Sequence, residues 1–275
     1  MRAAAAVLAA MLLASCAQLA PHREAPLDLA QFVAHAGDPR VRHEPGAEEF
    51  AGRVAALLPA AIAQVEAGHY RAFPAPVTVH VCGSDECFAR HVPGAARLTA
   101  AVVYDNRLVL APRLFDREPQ RLYPILVHEL SHLHLGQQLG HYTMRIPVWF
   151  HEGLASLVAS GGGADLVSED EALHAVGAGE HFLPEAAHDE SMRRGADDSR
   201  LRITMFYRQS MMFLAHLRSL GEDEFRKLLL VLQDREPFDR AFATVFGASA
   251  LQLALEFFGR LRCRQGACAA PAGAP

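Results

Sequence analysis

Lysine is almost absent from this sequence, although basic residues are not. Lys227 is the only lysine, the other basic side chains are arginines, and the formal net charge is -5 at pH 7. Binding of nucleic acid through a protein surface needs concentrated positive charge, and no polybasic stretch occurs here. Nucleic acid is therefore excluded as a partner.

The chain also lacks internal repeats and methionine-rich metal motifs. No segment recurs at a fixed period, which argues against a repeat architecture. No repeated M-x-x-M pattern links the methionines to histidines, so a copper site is not predicted. With 275 residues, 51% of them hydrophobic, the chain can bury the core of one large domain or two small ones.

The N-terminus has the pattern of an export signal. Arg2 precedes an apolar, alanine-rich run from Ala3 to Ala14, which is too short to span a bilayer as a mature helix. The run leads into LASC, which resembles the lipobox of bacterial lipoproteins. The resemblance implies cleavage before Cys16, lipidation of Cys16 and, because Ala17 follows rather than Asp, an outer-membrane anchor facing the periplasm. The alternative is an ordinary secretory signal with a chance cysteine.

If Cys16 carries lipid, four cysteines remain, in two pairs of equal spacing. Cys82 and Cys87 lie in CGSDEC, and Cys263 and Cys268 lie in CRQGAC. An even number of cysteines in an exported protein indicates disulfides. Pairing within each short loop is favoured over the two long-range connectivities, and a second metal site is the remaining alternative.

Hydrophobic periodicity predicts an α+β fold with a small N-terminal sheet and a mainly helical C-terminal half. The patterns indicate a helix over residues 47–70, a strand over 76–82 and a β-hairpin over 101–112. Beyond residue 112 the pattern is helical almost throughout. It includes three or four amphipathic helices after residue 201, over 203–220, 222–233, 237–247 and 249–262.

These patterns divide the chain into four parts. Residues 1–15 form the signal peptide, and residues 16–46, rich in Pro, His and charge, form a tether. Residues 47–265 form one folded domain. The Ala/Pro/Gly segment 266–275 is a disordered tail.

One motif carries chemistry. ILVHELSHLHLG (residues 125–136) contains His128, Glu129 and His132 in the order H-E-x-x-H. On a helix, residues four apart share a face, so both imidazoles can bind one metal ion while Glu129 lies beside it. The chain has 15 histidines, so the motif alone could also be a chance or structural pair.

A third ligand is needed for a catalytic zinc site, and a second motif supplies one. Glu152 in PVWFHEGLAS follows His132 by twenty residues and lies on a separate predicted helix. Two imidazoles and a carboxylate form the His2Glu ligand set of catalytic zinc sites, which keep a fourth position for water.

HELSH followed by WFHEGLA resembles the gluzincin metallopeptidases, most closely the peptidase MA-like families. The similarity continues into YRQSMMFLAHLRSLGEDEFRKLLLVL and covers about residues 118–262. It implies a zincin-like fold and one zinc ion per chain, held by His128, His132 and Glu152. It also implies that Glu129 is the general base that assists the attack of zinc-bound water on a peptide bond.

The sequence departs from the better-known gluzincin pattern at one position. Ser156 stands where those enzymes have an Asp that orients a zinc-binding histidine, so the partners of the imidazoles are open. Tyr207 occupies a tyrosine position of the resembling families and is the candidate for stabilising the oxyanion; core packing is the alternative. The histidines that lack ligand spacing are His134, which should face away from the metal, and His141 and His151, for which a surface or supporting role is expected.

The leading hypothesis is a zinc endopeptidase of the cell envelope that cleaves peptide or protein substrates. In that fold, the hairpin strand ending near Leu110 would lie along the cleft, where an extended peptide could pair with its edge. Alternatives are a non-catalytic zincin-fold lipoprotein with binding, assembly or chaperone-like duties, and a purely structural lipoprotein. The presence of Glu129 favours the enzyme, because a scaffold needs ligands but no general base.

Overall fold

A five-stranded mixed sheet forms the N-terminal half of the described chain. The computed structural model describes residues 29–92, 99–104, 106–184 and 201–266; the predicted signal peptide, Cys16, Cys268 and nearly all of the tail lie outside these residues. The strand order is β1-β2-β3-β5-β4, with β2, β3 and β5 parallel and both outer pairs antiparallel. The strands are β1 (Val33–His35), β2 (Asp38–His43), β3 (Val79–Val81), β4 (Ala101–Tyr104) and β5 (Arg107–Leu110).

Two helices lie between strands of the sheet, and helices make up most of the C-terminal half, so the predicted α+β class is confirmed. Short 3-10 turns over Pro119–Arg121 and Gly140–Arg145 flank the fourth helix. The helices are α1 (Glu48–His69), α2 (Asp85–His91), α3 (Arg113–Asp116), α4 (Leu122–Leu139), α5 (Val148–Val158), α6 (Glu169–Gly177), α7 (Ile203–Leu220), α8 (Glu222–Gln233), α9 (Phe238–Phe246) and α10 (Ala250–Arg264).

The tether prediction is wrong at its C-terminal end, because residues 33–43 belong to the sheet. Val41 of β2 is fully buried and pairs with Val79 of the central strand β3. Of the residues that suggested a tether, the charged Asp38, Arg40 and Arg42 are half-exposed on β2, Pro39 is exposed and His43 is buried. The local composition does not indicate strand β2, because its partner β3 is almost forty residues away in the sequence.

The predicted hairpin is confirmed. Its strand at the edge of the sheet is β4, and not β5 as expected. β4 and β5 pair in register around Asn106, whose φ of 61° is the left-handed conformation that Asn tolerates. β5, which ends at Leu110, pairs with β3 on its other side. The strand expected along the cleft is thus internal, and β4 is the edge strand.

α4 lies between two hydrophobic cores. Leu126 and Leu130 pack into the core formed by the sheet and α1, and Leu135 and Leu139 pack into the core formed by α5 and the C-terminal helices. The second core is strongly aromatic, with Trp149 among several phenylalanine rings. Burial on both sides fixes the position and rotation of α4.

Among the described residues, α1 is long and apolar enough to cross a membrane, and α9 with α10 would pass the same test only as one bent span. α1 packs as a core helix here. Its apolar side chains Phe50, Val54, Leu58 and Val65 are buried against the sheet and α4, and the helix continues through Pro59.

The disulfide predicted within the first cysteine pair is confirmed. Cys82 at the end of β3 is bonded to Cys87 of α2, with Cα atoms 5.5 Å apart. Cys263 is also disulfide-bonded. Its predicted partner Cys268 lies outside the described residues, so that pairing stays a prediction.

Buried histidines make the stability of this fold depend on pH. His80 in β3 is 2% exposed, and its burial, assisted by Arg107 and Arg42, lowers its pKa to about 4. Burial also lowers the pKa values of His69 and His134. These imidazoles are neutral in the folded protein.

We expect the free energy of unfolding to fall as the pH is lowered from about 6.5 to about 4, because the unfolded chain then binds protons that the folded chain does not. His80→Gln should reduce this dependence by about one proton in the same window. Urea unfolding at a series of pH values measures it, with His174→Gln, which replaces an exposed histidine of α6, as the matched control. Equal pH slopes for the two variants would contradict the assignment.

Candidate metal centre

The two histidines of the H-E-x-x-H motif point their Nε2 atoms at one another from α4. His128 and His132 are one turn apart, their rings are nearly perpendicular, and the two Nε2 atoms are 3.0 Å apart. α4 begins after the Pro119–Arg121 turn and ends at Gly140, so the motif occupies its middle, where the backbone is held by hydrogen bonds on both sides.

Glu152 completes the cluster from α5. The 3-10 turn over Gly140–Arg145 reverses the chain, and Pro147 precedes the first residue of α5. Oε2 of Glu152 lies 3.3 Å from Nε2 of both His128 and His132. The sequence-predicted ligands are thus brought together, and within the described residues this is the group of His, Cys, Asp and Glu side chains that could hold a metal ion.

The three atoms fit a metal ion in spacing and in chemistry. Zinc bonds of about 2.0–2.2 Å give a tetrahedral site edges of about 3.3–3.6 Å, and the ligand atoms are 3.0 and 3.3 Å apart, so small shifts bring them to bonding geometry. Burial alone would raise the pKa of Glu152, but His132 and His128 lower it well below its ordinary value. The carboxylate is therefore ionised, as a ligand must be.

Glu129 lies beside the cluster and is not part of it. It is half-buried, next to His128 in sequence and close enough to Glu152 and Tyr207 to interact with both electrostatically. Burial and, to a smaller extent, the charge of Glu152 raise the pKa of Glu129 to about 7, against the lowering effect of His128. A carboxyl group here can exchange a proton near neutral pH.

Gly153 explains why glycine follows the glutamate ligand. A Cβ atom at this position would lie 2.8 Å from the backbone oxygen of Ser210 in α7. The missing side chain lets α7 approach α5 closely, and this brings Tyr207 of α7 to the metal centre. The E-G-x-A pattern therefore combines a ligand with a helix contact.

Tyr207 faces the cluster. Its ring is stacked near that of His128 with a centroid distance of 6.1 Å, and its hydroxyl group lies near the carboxylate of Glu152. Burial first, and then the nearby carboxylates, raise the pKa of Tyr207 above its ordinary value. The hydroxyl group stays protonated and able to donate a hydrogen bond, while the ring is also packed against the second core.

The contacts that orient the two imidazoles are unequal. Oγ of Ser156, one turn after Glu152 on α5, lies 3.5 Å from Nδ1 of His128, which is at the limit of a hydrogen bond. Nδ1 of His132 is buried and has no hydrogen-bond partner among the described residues. The ring of His151 is stacked on that of His132 with a centroid distance of 4.4 Å, so His151 supports a ligand.

Two histidines near the motif, His134 and His141, lie outside the site. His134 faces away from it as predicted, because its Nε2 bonds to the backbone oxygen of Arg71. His141 is exposed on the 3-10 turn after α4.

At the metal site, sequence reasoning missed one segment, residues 160–167, which we call the glycine loop. A Cβ atom on Gly162 would lie 2.2 Å from the backbone oxygen of Pro124, and one on Gly163, whose φ is 80°, would lie 2.7 Å from Cε1 of His128. A glycine triplet such as Gly161 to Gly163 can simply end a helix. Three consecutive glycines also signal a close approach, and that signal could have indicated this contact.

Comparisons with known proteins do not assign a family. No family model matches the chain, and no curated protein matches it. Fold and site define an α+β protein with a candidate three-ligand metal centre.

We expect Glu152→Ala to remove most bound metal, because two imidazoles alone leave a weak site. Metal analysis after dialysis against a dilute chelator measures the loss. Glu224→Ala, which replaces an exposed glutamate of α8, is the control. Equal metal content in both variants would contradict the ligand assignment.

Proposed function

We propose that the protein is a zinc-dependent endopeptidase of the gluzincin type. The observation that carries the proposal is the convergence of His128, His132 and Glu152 on one point, with a half-buried carboxyl group, Glu129, beside it. Two imidazoles and one carboxylate favour zinc over calcium or magnesium, which prefer oxygen ligands. When bound, zinc supplies a Lewis acid that makes a water molecule more acidic and polarises a carbonyl group.

The residues around the ligands then have distinct tasks. Glu129 accepts the proton of the attacking water and returns a proton to the leaving amine. Tyr207 donates a hydrogen bond to the oxygen on which negative charge develops. Ser156 and His151 hold the ligand imidazoles in place.

β4 is the element best placed to bind an extended peptide. It is an edge strand of the sheet, and it packs against α4, the helix that carries both histidines. Main-chain pairing with such an edge recognises a backbone rather than particular side chains. This favours a peptide or protein substrate over a small molecule.

We also propose that the enzyme works in the bacterial cell envelope, anchored by lipid on Cys16. The lipobox-like sequence supports the anchor, and the Cys82–Cys87 disulfide supports an oxidising compartment. The anchor would hold the catalytic domain at the periplasmic face of the outer membrane.

Glu129→Gln separates an enzyme from a metal-binding scaffold. The amide keeps the size of the side chain but cannot accept the proton, and general-base catalysis contributes about 10² to 10⁴-fold. We therefore expect peptide hydrolysis to fall at least about a hundredfold while zinc content and thermal stability change little. If wild type and variant share the same background cleavage of a peptide library, the alternative of a non-catalytic zincin-fold lipoprotein is favoured.

Tyr207→Phe tests the second catalytic assignment. Loss of one oxyanion donor costs about 10² to 10³-fold in kcat, and we expect that loss with KM and zinc affinity nearly unchanged. The hydroxyl group of Tyr207 also lies near the carboxylate of Glu152. If zinc affinity falls and kcat of the zinc-saturated variant does not, the tyrosine orients a ligand and the oxyanion assignment is wrong.

A further inference from the structure

The glycine loop can restrict the His128 ring only if the loop itself is held against α4. Its contact with α4 consists of bare backbone: Gly162 lies on the backbone of Pro124, and Gly163 lies on the ring of His128 one turn later. Backbone contacts without side chains bury little apolar area, so they add little stability of their own. The end of the loop is anchored elsewhere, because Val167 is buried against α6 and α7 and its backbone oxygen accepts a 2.7 Å hydrogen bond from Nε of Arg208. An interaction with the start of α4 is still needed to hold the glycines against that helix.

A partly buried ion pair provides that interaction. The carboxylate of Asp165, in the glycine loop, accepts two hydrogen bonds from the guanidinium group of Arg121, at 2.9 Å from Nε and 3.1 Å from Nη2. The two side chains are 29% and 13% exposed. A bidentate arginine–carboxylate pair fixes orientation as well as distance. Arg121 immediately precedes α4, so this pair joins the loop to the start of the histidine helix.

The arginine is itself fixed by a second carboxylate. Nη1 of Arg121 lies 2.6 Å from Glu118, and Glu118 also pairs with Arg113 of α3. Partial burial alone would lower the pKa of Arg121, but its bonds to Asp165 and Glu118 raise it. The guanidinium group therefore stays charged and has little freedom to leave the loop. A network of this kind holds its geometry at lower entropic cost than an isolated surface pair.

The His132 ring has the stacked ring of His151 beside it, and the His128 ring has a different kind of support. Its Nδ1 has only the 3.5 Å contact with Ser156, and a serine hydroxyl group orients an imidazole less strongly than a carboxylate would. The edge of the ring at Cε1 instead meets Gly163. Packing by the loop therefore restricts the rotation that a weak hydrogen bond leaves open.

We propose that the Arg121–Asp165 ion pair is a positioning element of the metal centre: it holds Gly163 against the His128 ring, and so keeps Nε2 of His128 aimed at the metal. Arg121 and Asp165 are positioning residues, not ligands. The proposal rests on the ligand assignment made above, and it does not require that the protein cleave peptides.

The test is zinc affinity of the full-length protein, measured by competition with a chromogenic chelator. Asp165→Asn keeps the size of the side chain and removes its charge, and we expect the zinc dissociation constant to rise about tenfold or more, the range typical for partners that orient a ligand. Asp85→Asn is the matched control, because Asp85 pairs with Arg117 at 2.7 Å in an exposed position on α2. It should change zinc affinity less than twofold.

Two further variants exclude a merely structural effect. Asp165→Glu keeps the carboxylate and should restore most of the affinity lost in Asp165→Asn. Gly163→Ala should weaken zinc binding directly, and adding Asp165→Asn to it should cost less than it does in the wild type, because both changes act through the same contact. Thermal unfolding of the zinc-free proteins is measured in parallel.

The proposal is overturned if Asp165→Asn weakens zinc binding no more than Asp85→Asn does, or if its effect adds fully to that of Gly163→Ala. A failure of the function proposed above gives a different pattern. If Glu152→Ala leaves zinc binding intact, the ligand assignment itself is wrong. If zinc binding responds as expected but Glu129→Gln leaves hydrolysis unchanged, only the peptidase assignment is wrong.

Discussion

Burial of α4 on both sides is the constraint on which the candidate metal centre depends. One side of the helix packs on the sheet and α1, and its C-terminal part packs on the aromatic core around Trp149. A helix held in this way cannot rotate, so the side chains of His128 and His132 leave it toward the site, and the orientation of each ring is then set by its neighbours. Glu152 then needs only one further helix contact, between α4 and α5, to reach both imidazoles.

Around the candidate ligands, backbone atoms pack closely where glycine has no side chain, and no carboxylate hydrogen-bonds to Nδ1 of either imidazole among the described residues. Gly153 lets α7 lie against α5, and Gly162 and Gly163 let the glycine loop lie against α4. Any side chain at these positions would meet backbone or an imidazole ring at less than van der Waals distance. The polar contact of Ser156 with His128 is long by comparison. Steric contact thus does part of the orienting that hydrogen bonds perform in many metal sites.

The sequence predicts those features whose signals are local. Helical periodicity places α7 and α8 correctly, and the alternation around Asn106 predicts the hairpin. The spacing of the two motifs predicts the three candidate ligands, and these are the residues that lie together in the structure. The missed features depend on distant partners: strands β1 and β2 need β3 to form a sheet, and the internal position of β5 follows from its pairing with the same strand. The glycine loop acts on a helix more than thirty residues earlier, which no local pattern reports.

The three candidate ligands lie within 25 residues of one another, between His128 and Glu152, and this affects the order in which the site forms during folding. His128, His132 and Glu152 lie on consecutive helices, so closing the loop between them costs little entropy, and local contacts of this kind form early. Tyr207 and β4, by contrast, come from distant parts of the chain, and their contacts require the whole domain. The α4–α5 hairpin can therefore bring the three candidate ligands close together early in folding, and their final directions are set only when both hydrophobic cores have formed around α4.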